Sequence, residues 1–316
     1  MSTSVDLGSS VKIAVIGAGS IGSRHARILR ELNHEVVVVS NYINNQPDTI
    51  QYKSISDALK HNRFEYVVVA SRTSQHQSDL KELCKTKFTG KVLIEKPLFA
   101  ANKKIAKNKF EFAGVGYNLR FHPAIAWLRN TLPQLGYISS ANFYIGQYLP
   151  TWRKNNKYQN SSSATIASGG GVLRDLSHEL DLVQYFFGDW SHLTSTGGKF
   201  SNLEIETEDT FSILMQTKTC QAISIQLNYL DRIKQRVITI NGDKGTIRID
   251  LLSGLAQFND TTQVFNADSD HTYLAEHKAM IAHDPKTICS IAEALTVVKT
   301  IEAIEVAASK RKWIKR

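Results

Sequence analysis

The sequence predicts an α/β protein of two domains, the first built around a parallel sheet and the second around a mainly antiparallel one. Near the N-terminus a buried strand runs through a glycine-rich turn into a helix, and further short apolar strands follow it. From residue 211 onwards apolar and polar residues alternate, as they do in half-buried strands. A chain of 316 residues, 42% hydrophobic and 21% charged, is long enough for two such globular domains.

The glycine-rich turn joins the first predicted strand to the first predicted helix. Val11–Ile16 is a short run of mostly β-branched residues, as expected of a parallel strand that is covered on both faces. Gly17, Gly19 and Gly22 then form the pattern G-x-G-x-x-G. The first glycine permits the turn, the second lets the backbone approach a pyrophosphate, and the third lets the helix pack against the strand. A second strand, Glu35–Val39, completes a βαβ unit.

This βαβ unit predicts a site for a dinucleotide cofactor. The free N–H groups at the start of the helix, together with the helix dipole, favour a phosphate there. A turn with a purely structural role is one alternative, and a methyltransferase that binds an adenosyl group on the same strand and turn is another. The expected cofactor-binding residues of the turn are Gly17, Gly19, Ser20, Ile21 and Gly22.

The residues after the second strand bear on the choice between NAD and NADP. The NAD fingerprint has an acidic residue about 20 positions beyond the glycines, where it accepts the ribose hydroxyl groups. Here Val39 is followed by Ser40, Asn41 and Tyr42, with no carboxylate to repel a 2′-phosphate and no arginine to bind one. We therefore expect Ser40 and Asn41 to contact the cofactor, which is NADP or NAD with a modest lean to NADP.

Two further strands continue the predicted parallel sheet. Phe64–Ala70 is followed by a loop that holds Ser71 and His76, and ligands of open α/β sheets bind at such strand ends. We expect both residues near the cofactor, and a helix-capping or surface role is the alternative for His76. The next strand, Lys91–Ile94, runs directly into Glu95-Lys96-Pro97, so Glu95 and Lys96 are expected at the same edge.

Composition and charge exclude several classes of protein. The formal net charge is +9, but the basic clusters at 103–109 and 310–316 are not interleaved with aromatic residues as in a base-stacking surface, so nucleic acid is not an expected partner. No apolar run approaches the roughly 18 residues that span a bilayer, and we expect a cytoplasmic protein without membrane insertion. Three separated cysteines fit reduced thiols. His271, His277 and His283 are spaced by six, which is not metal-ligand spacing, so no metal is expected.

The remaining chain predicts a helix, several strands and a final helix. Ile125–Leu132 is the expected helix and Tyr137–Ile145 the first strand, followed by a polar, aromatic loop over residues 147–160. A hairpin turn at 242–245 joins the last two strands. A long amphipathic helix is expected at Ile288–Ala308. The later strands are predicted at Phe211–Met215, Ala222–Asn228, Val237–Ile240 and Thr246–Leu251.

Several motifs together resemble the Gfo/Idh/MocA oxidoreductase family. The glycine turn is followed by V-V-V-A-S-R-T-S-Q-H at 67–76, E-K-P at 95–97 and V-G-Y-N-L-R-F at 115–121. G-G-G-V-L-R-D-L-S-H-E-L-D stands at 169–181, and an A-L…I-E-A-I segment lies near the C-terminus. The resemblance therefore covers essentially the whole chain.

This resemblance implies the overall organisation. It predicts an N-terminal Rossmann domain over residues 1–119 and a C-terminal substrate-binding and dimerisation α/β domain over residues 120–316, with an open, mainly antiparallel sheet. The final helix could pack back on the first domain. The expected partners are a small-molecule carbohydrate substrate and further copies of the chain, in a homodimer or homotetramer formed through the C-terminal sheet.

The resemblance also identifies catalytic candidates. In the family the lysine of E-K-P and the histidine of the G-G-G…D…H segment lie by the substrate, and they correspond here to Lys96 and His178. A lysine that is partly desolvated beside a cationic nicotinamide could take a proton as hydride leaves, and a histidine titrates near neutral pH. Asp175 precedes His178 by three residues, where the family usually has four. Both spacings share one helix face, so we expect Asp175 to act with His178, and a helix N-cap is the alternative.

The remaining candidates would bind substrate. Tyr117, Asn118 and Arg120 end a strand beside the nicotinamide in such a fold. Arg120 is the candidate for an anionic group, with a structural ion pair as the alternative. The aromatic loop adds Trp152, Arg153 and Tyr158.

These features predict an NAD(P)-dependent oxidoreductase that acts on CH–OH groups. Its substrate would be a sugar, a nucleotide sugar or a cyclic polyol, and the resemblance includes family members from surface-polysaccharide pathways. A non-catalytic dinucleotide-binding sensor on the same fold is the alternative.

Overall fold

The computed structural model describes residues 10–41, 51–152 and 157–316, which belong to two compact units. The first unit comprises residues up to 98, residues 103–116 and residues 273–291, and the second comprises residues 99–102, 117–272 and 292–316. The predicted boundary between residues 119 and 120 is therefore displaced to 116/117. A late segment that the sequence analysis assigns to the second domain belongs to the first unit.

The first part of the chain forms a parallel sheet with connecting helices. Its central strands are rich in β-branched residues and are buried almost throughout, as expected of strands covered on both faces. The short second helix, which we did not predict, begins where the Ser54 hydroxyl accepts the Asp57 N–H at 3.1 Å. The elements are β1 (Lys12–Ile16), α1 (Ser20–Glu31), β2 (Glu35–Val39), β3 (Gln51–Tyr52), α2 (Ile55–His61), β4 (Tyr66–Val69), α3 (His76–Lys85), β5 (Lys91–Ile94) and β6 (Ala113–Val115).

The middle of the chain forms three helices and most of the second sheet. Pro123 is the first residue of the first of these helices, where its missing N–H is not needed. A strand that we did not predict begins at Trp190. The elements are α4 (Pro123–Thr131), β7 (Ile138–Gly146), α5 (Val172–Asp175), α6 (His178–Phe187), β8 (Trp190–Gly198), β9 (Thr210–Thr217), β10 (Ile223–Asn228), β11 (Gln235–Gly242), β12 (Gly245–Asp250), β13 (Leu255–Phe258) and β14 (Thr261–Val264).

The last part of the chain contributes to both units. It contains α7 (His271–Ile281), β15 (Cys289–Ser290), α8 (Ile291–Lys310) and β16 (Ile314–Lys315). β15 pairs with the edge strand β6, Cys289 opposite Val115, and this pairing draws residues 273–291 into the first unit. It also explains why the final helix begins at Ile291 and not at the predicted Ile288. Apart from Ile291, α8 lies in the second unit, so the segment that returns to the first unit is α7 from Tyr273 onward, with β15.

The two sheets confirm the predicted fold class. The first has the order β15-β6-β5-β4-β1-β2-β3 and is parallel except for β15. The second has the order β14-β13-β12-β11-β7-β10-β9-β8-β16, and only β7 and β10 run parallel. In β9 and β12 buried residues alternate with exposed ones, so one face of the second sheet packs on its own unit and the other is open.

Candidate functional site

The three glycines of the turn differ in whether a contact within the protein requires a residue without a side chain. Gly17 has φ +103°, and a Cβ there would lie 2.6 Å from the Ala70 carbonyl oxygen; a Cβ at Gly22 would collide with the Gly17 carbonyl group. Gly19 has φ −73°, and a Cβ there would point into open space, so no contact within the protein requires glycine at this position. It is the N-cap of α1 and makes no side-chain cap bond. Room beside uncapped helix N–H groups fits a phosphate that approaches the backbone, as the sequence predicts.

The edge of the sheet next to this turn brings in a residue that sequence reasoning missed. The Ser40 N–H donates to the Tyr52 carbonyl at 2.8 Å, because β3 pairs with β2. This pairing places the exposed Lys53 beside Ser40 and Asn41. A two-residue strand carries too little periodicity to be predicted, so the cation at this edge was not foreseen. Tyr42 lies outside the described residues.

His76 and Ser71 support the strand ends from within. His76 is the first residue of α3 and is buried, so it is neither a surface histidine nor an N-cap. Its Nδ1 lies 3.2 and 3.1 Å from the carbonyl oxygens of Pro97 and Leu98, and its Nε2 lies 3.1 Å from that of Ser71. Burial lowers the pKa of its imidazole, although the hydrogen-bonded carbonyls oppose this. The Ser71 hydroxyl donates to Asp79 at 2.5 Å. His76 therefore holds the turn that follows Lys96, Ser71 supports His76 and α3, and direct cofactor contact of either residue stays a prediction.

Glu95 and Lys96 stand at the end of β5. Glu95 is buried, and its Oε2 accepts the Lys96 backbone N–H at 3.0 Å, while Lys96 itself is half-buried and precedes a cis peptide bond to Pro97. Burial by itself would raise the pKa of the Glu95 carboxyl. The hydrogen bond and charge of His25, with the charge of Lys96, outweigh burial and lower that pKa. Glu95 is thus an internal carboxylate beside the candidate lysine.

In the second unit, Asp175 and His178 lie on different helices. Asp175 ends α5 and His178 begins α6, so our expectation of one continuous helix face is wrong. The N-cap alternative for Asp175 is also wrong, because Ser177 occupies that position of α6. Instead Asp175 accepts the Tyr229 hydroxyl at 2.7 Å, and burial, followed by the charge of Asp175, raises the pKa of Tyr229 well above its usual value.

The aromatic candidates divide between two places. The Trp152 ring stands perpendicular to that of Tyr229 at 5.2 Å, which links the loop after β7 to Asp175. The Tyr117 ring packs edge-on against His178 at 5.6 Å, and its hydroxyl donates to Ser177 Oγ at 3.3 Å. Tyr158 instead accepts the Glu204 N–H at 3.2 Å. Arg153 lies outside the described residues.

The glycine run before α5 has an internal explanation. Gly171 has φ +112°, and a Cβ there would collide with the carboxylate of Glu208. That carboxylate accepts the Leu173 N–H at 3.3 Å and lies 3.8 Å from the Arg174 guanidinium. The tight approach is therefore to Glu208, a residue that no motif singled out.

Arg120 makes a buried structural ion pair. Its Nε and one terminal nitrogen donate to the two oxygens of Asp181 at 2.9 and 2.7 Å, and the other terminal nitrogen donates to Glu293 at 3.0 Å. The side chains of Arg120 and Asp181 are each 1% exposed. Asn118 donates to Thr272 Oγ1 at 2.8 Å and is buried as well. Of the two alternatives for Arg120, the structure contains the ion pair, so we correct its expected role from anion binding to support for α6.

Arg236 contacts the start of α6 and acts electrostatically on other basic side chains of the second unit. Arg236 donates twice to Glu179, the second residue of α6, at 2.7 and 3.1 Å. Burial, then the charges of His271 and Arg236, lower the pKa of His122 to about 4. Burial, then the charge of Arg236, lower the pKa of Lys234. We call Arg236 and Lys234 the cationic group, with His122 and His271 as neighbouring histidines, and sequence reasoning missed this set because its members are up to 149 residues apart.

Two absences hold for the described part of the chain. No three His, Cys, Asp or Glu side chains within residues 10–41, 51–152 and 157–316 gather as metal ligands would. In those same ranges every helix is too short or too polar to cross a membrane.

Comparison with protein families gives two matches. The oxidoreductase family with an NAD-binding Rossmann fold matches residues 11–113, and the GFO/IDH/MocA C-terminal domain matches residues 133–248. A comparison with curated proteins gives no match.

Solved structures share the fold along the whole chain. GenD2 from gentamicin A biosynthesis, in complex with NAD, is 19% identical, covers 99% of this chain and 98% of its own, and has a TM-score of 0.82. The WlbA dehydrogenase from Bordetella pertussis, in complex with NADH and UDP-GlcNAcA, is 18% identical with coverages of 98% and 99% and a TM-score of 0.77. Levoglucosan dehydrogenase, in complex with NADH and L-sorbose, is 14% identical with coverages of 97% and 98% and a TM-score of 0.82.

Proposed function

We propose that this chain, which belongs to the Gfo/Idh/MocA oxidoreductase family, transfers a hydride between NAD(P) and a hydroxyl or carbonyl group of a sugar, nucleotide sugar or cyclic polyol. The observation that carries the proposal is that the chain retains both proton-transfer candidates at defined element ends. Lys96 follows β5 beside an internal carboxylate, and His178 opens α6 beside Tyr117, three residues after Asp175. Gly19, which no internal contact requires, supports binding of the dinucleotide.

The nicotinamide, when bound, would accept or supply the hydride. The chain must then move one proton to or from the substrate oxygen. Lys96 is proposed as the group that exchanges this proton, since an amine at a strand end can donate or accept it. His178 is proposed to form a hydrogen bond with a substrate oxygen, and the Tyr117 ring fixes the plane of its imidazole. Asp175, oriented by Tyr229, would accept a hydrogen bond from a second hydroxyl of the substrate.

The substrate class is proposed from the charge of the second unit. Lys234 is exposed, and partial desolvation, followed by the charge of Arg236, lowers its pKa; Arg236 itself is bound by Glu179. A phosphate or carboxylate of the substrate could pair with the exposed Lys234 ammonium. We therefore propose an anionic sugar, such as a nucleotide sugar or a uronate of the kind used in surface-polysaccharide biosynthesis. The WlbA dehydrogenase, whose structure contains UDP-GlcNAcA, is a neighbour with such a ligand.

The cofactor is proposed to be NADP at least as readily as NAD. No carboxylate follows β2 at Ser40 and Asn41, and the exposed Lys53 adds a cation beside them. The three neighbours described above contain NAD or NADH, so this preference is a feature proposed for the present chain.

Assembly is proposed to use the open face of the second sheet. Leu214 of β9 lies on that face and is 52% exposed, and every residue of β14 is exposed. A homodimer or homotetramer would cover this surface. Light scattering coupled to gel filtration would give the mass, and a monomer at micromolar concentration would contradict the proposal.

The test of the proposed activity is cofactor reduction or oxidation followed by absorbance with a panel of neutral and anionic sugars. Lys96→Met should lower kcat by about 100-fold or more, the range of general acid–base catalysis. Lys81→Met, at an exposed lysine of α3, is the matched control and should retain activity. Full turnover in Lys96→Met with an accepted substrate would remove Lys96 from the mechanism.

The alternative from another class is a sensor that binds a dinucleotide and reports it to a protein partner. It predicts binding of NAD or NADP by calorimetry, no turnover with any sugar, and no effect of His178→Gln on ligand binding. Calorimetry with adenosylmethionine in the same series would expose a methyltransferase.

A further inference from the structure

A chain of hydrogen bonds runs through the interior of the first unit and ends at the residue before Lys96. The Tyr66 hydroxyl lies 3.0 Å from His277 Nδ1, and His277 Nε2 lies 2.9 Å from His25 Nδ1. His25 Nε2 in turn lies 2.8 Å from Glu95 Oε1. The two histidines have no exposed surface, and Tyr66 is 1% exposed. The chain ties together α1, β4, the end of β5 and α7.

Only one arrangement of protons satisfies every bond with neutral rings and an ionised carboxylate. Glu95 Oε1 can only accept, so His25 carries its proton on Nε2 and accepts at Nδ1 from His277. His277 then accepts at its own Nδ1 from the Tyr66 hydroxyl. Burial raises the pKa of Tyr66 well above its usual value, so Tyr66 stays a donor. Burial, then the charges of His25 and His34, lower the pKa of His277 well below its usual value, so its ring stays neutral.

Other charged and titratable groups face this hydrogen-bond chain from α1, α3 and α7. The Tyr273 ring meets His25 edge-on at 5.3 Å, with the Arg24 guanidinium 5.1 Å above that ring. The charge of Glu276 adds to the raised pKa of Tyr66, and the charge of Glu95 reaches His76. Because Tyr66 is buried and stays protonated, it always donates to His277. The row of hydrogen bonds therefore fixes the position of the Glu95 carboxylate at its other end.

Two positively polarised groups can attract the Glu95 carboxylate: the N–H of the His25 ring and the Lys96 ammonium. One oxygen accepts from His25, and the other accepts the Lys96 backbone N–H at 3.0 Å. A Cβ at Gly116 would lie 3.1 Å from Oε1, so the glycine leaves only enough room for the carboxylate in this position. The Lys96 ammonium is close enough to help lower the pKa of Glu95. A carboxylate released by His25 would therefore turn toward that ammonium.

We propose that His25 is a positioning residue for the lysine that exchanges the proton. It holds the Glu95 carboxylate on its own imidazole and on the Lys96 backbone, and it thereby limits how strongly that carboxylate stabilises the Lys96 ammonium. His277 and Tyr66 fix the imidazole tautomer that makes this hold possible. The inference rests on the proposed function, in which Lys96 must give up and regain a proton.

The experiment follows the titration of Lys96 directly. Lysines are dimethylated reductively with ¹³C formaldehyde, the Lys96 resonance is assigned by its loss in Lys96→Met, and its midpoint is measured against pH by NMR. In His25→Leu the midpoint should rise by at least about 0.5 pH unit, since the freed carboxylate favours the charged amine. In His25→Gln, whose amide can still donate to Glu95, it should stay within about 0.1 unit. An unchanged or lowered midpoint in folded His25→Leu would overturn the proposal.

A second variant covers the possibility that His25→Leu does not fold. Tyr66→Phe removes the hydroxyl group that donates to His277 Nδ1, so the cooperative hydrogen-bond chain is weakened and His277 donates less strongly to His25. The Lys96 midpoint should rise here too, by about 0.3 unit, and the absence of a rise would contradict the proposal. These readouts need no substrate. Full turnover in Lys96→Met would therefore defeat the proposed function alone, whereas a failed midpoint shift would defeat the role of His25 alone.

Discussion

The interiors of the two units are polar in different ways. Around Glu95 the first unit sets a single carboxylate at the end of a row of hydrogen-bonded rings, His25, His277 and Tyr66. Around α6 the second unit buries opposite charges in pairs, Arg120 with Asp181 and Arg236 with Glu179. In a row of hydrogen-bonded rings the direction of donation depends on the tautomer of each ring, so moving one proton reverses that direction. Ion pairs are ordered by charge, so they tolerate rotation but leave a buried charge behind when one partner is lost.

The largest effect should come from breaking an ion pair. Arg120→Met leaves the Asp181 carboxylate buried without its guanidinium, and we expect the free energy of unfolding to fall by about 3–5 kcal/mol. Urea denaturation measures it. Arg248→Met, at an exposed arginine of β12 in the same unit, should change it by less than about 0.5 kcal/mol. A loss below about 1 kcal/mol at Arg120 would show that the pair is replaceable and that the contrast between the units is weak.

Acid should act on the second unit through His122, which stays neutral beside Arg236 and His271. Because its pKa falls from 6.5 to about 4 in the folded state, the unfolded chain binds the proton first as the pH drops. Stability is therefore complete above pH 6.5 and is lost progressively between 6.5 and 4, by about 2–4 kcal/mol in all.

A matched variant isolates this contribution. The imidazole of His122 accepts the Ala124 N–H at 3.2 Å as the N-cap of α4, and an asparagine keeps such a cap without titrating. Urea midpoints between about pH 7 and 4.5 should fall less steeply in His122→Asn than in the wild type. Equal slopes would assign the acid loss to other groups, with His277 of the first unit foremost.

The cationic group of the second unit can be tested by its effect on the binding of anionic substrates. Lys234→Ala should raise KM for a nucleotide sugar or uronate about tenfold, near 1.4 kcal/mol, and should leave KM for a neutral sugar and kcat nearly unchanged. Lys244→Ala, in the exposed turn between β11 and β12, is the control. An equal rise in KM for neutral sugars would indicate a structural role for Lys234.

The last prediction concerns cofactor choice, which a negative charge introduced directly after β2 should change. Ser40→Asp should shift the ratio of dissociation constants toward NAD by about one order of magnitude, because the new carboxylate accepts ribose hydroxyl groups and repels a 2′-phosphate. Lys53→Ala should weaken NADP by a smaller factor and leave NAD unchanged. Calorimetry with both cofactors decides it, and tight NAD binding without NADP binding in the wild type would show that other residues set the choice.

Local patterns are enough to predict the fold class and several element ends. The βαβ unit at Val11–Val39 follows from β-branched runs and glycine spacing, and both persist in the structure because neighbouring residues enforce them. Strand β8 was missed because Trp190–Gly198 alternates weakly and carries threonine and serine residues at half-buried positions. The spacing of Asp175 and His178 misled us because a bend at Leu176 and Ser177 separates two helices that the sequence runs together.

Contacts between distant residues account for most of what the sequence did not reveal. His25 and His277 are 252 positions apart, and no periodicity connects them. A signal was nevertheless available, because His25 falls on the apolar side of α1 between Ile21 and Leu29, where a buried polar residue requires a partner. Tyr229 and Arg236 have no comparable signal in the sequence, because neither lies on the apolar side of a predicted helix. Their partners could be identified only after β10 and β11 had been placed.

The return of residues 273–291 to the first unit also sets an order of events during synthesis. A ribosome completes residues 10–116 long before it reaches β15, so β6 waits with one edge unpaired and His25 waits without His277. An exposed strand edge is a site for wrong pairing, and contacts of such high separation form late. The nascent N-terminal sheet therefore needs protection through the translation of about 170 further residues, and a stalled or shortened chain should aggregate through β6.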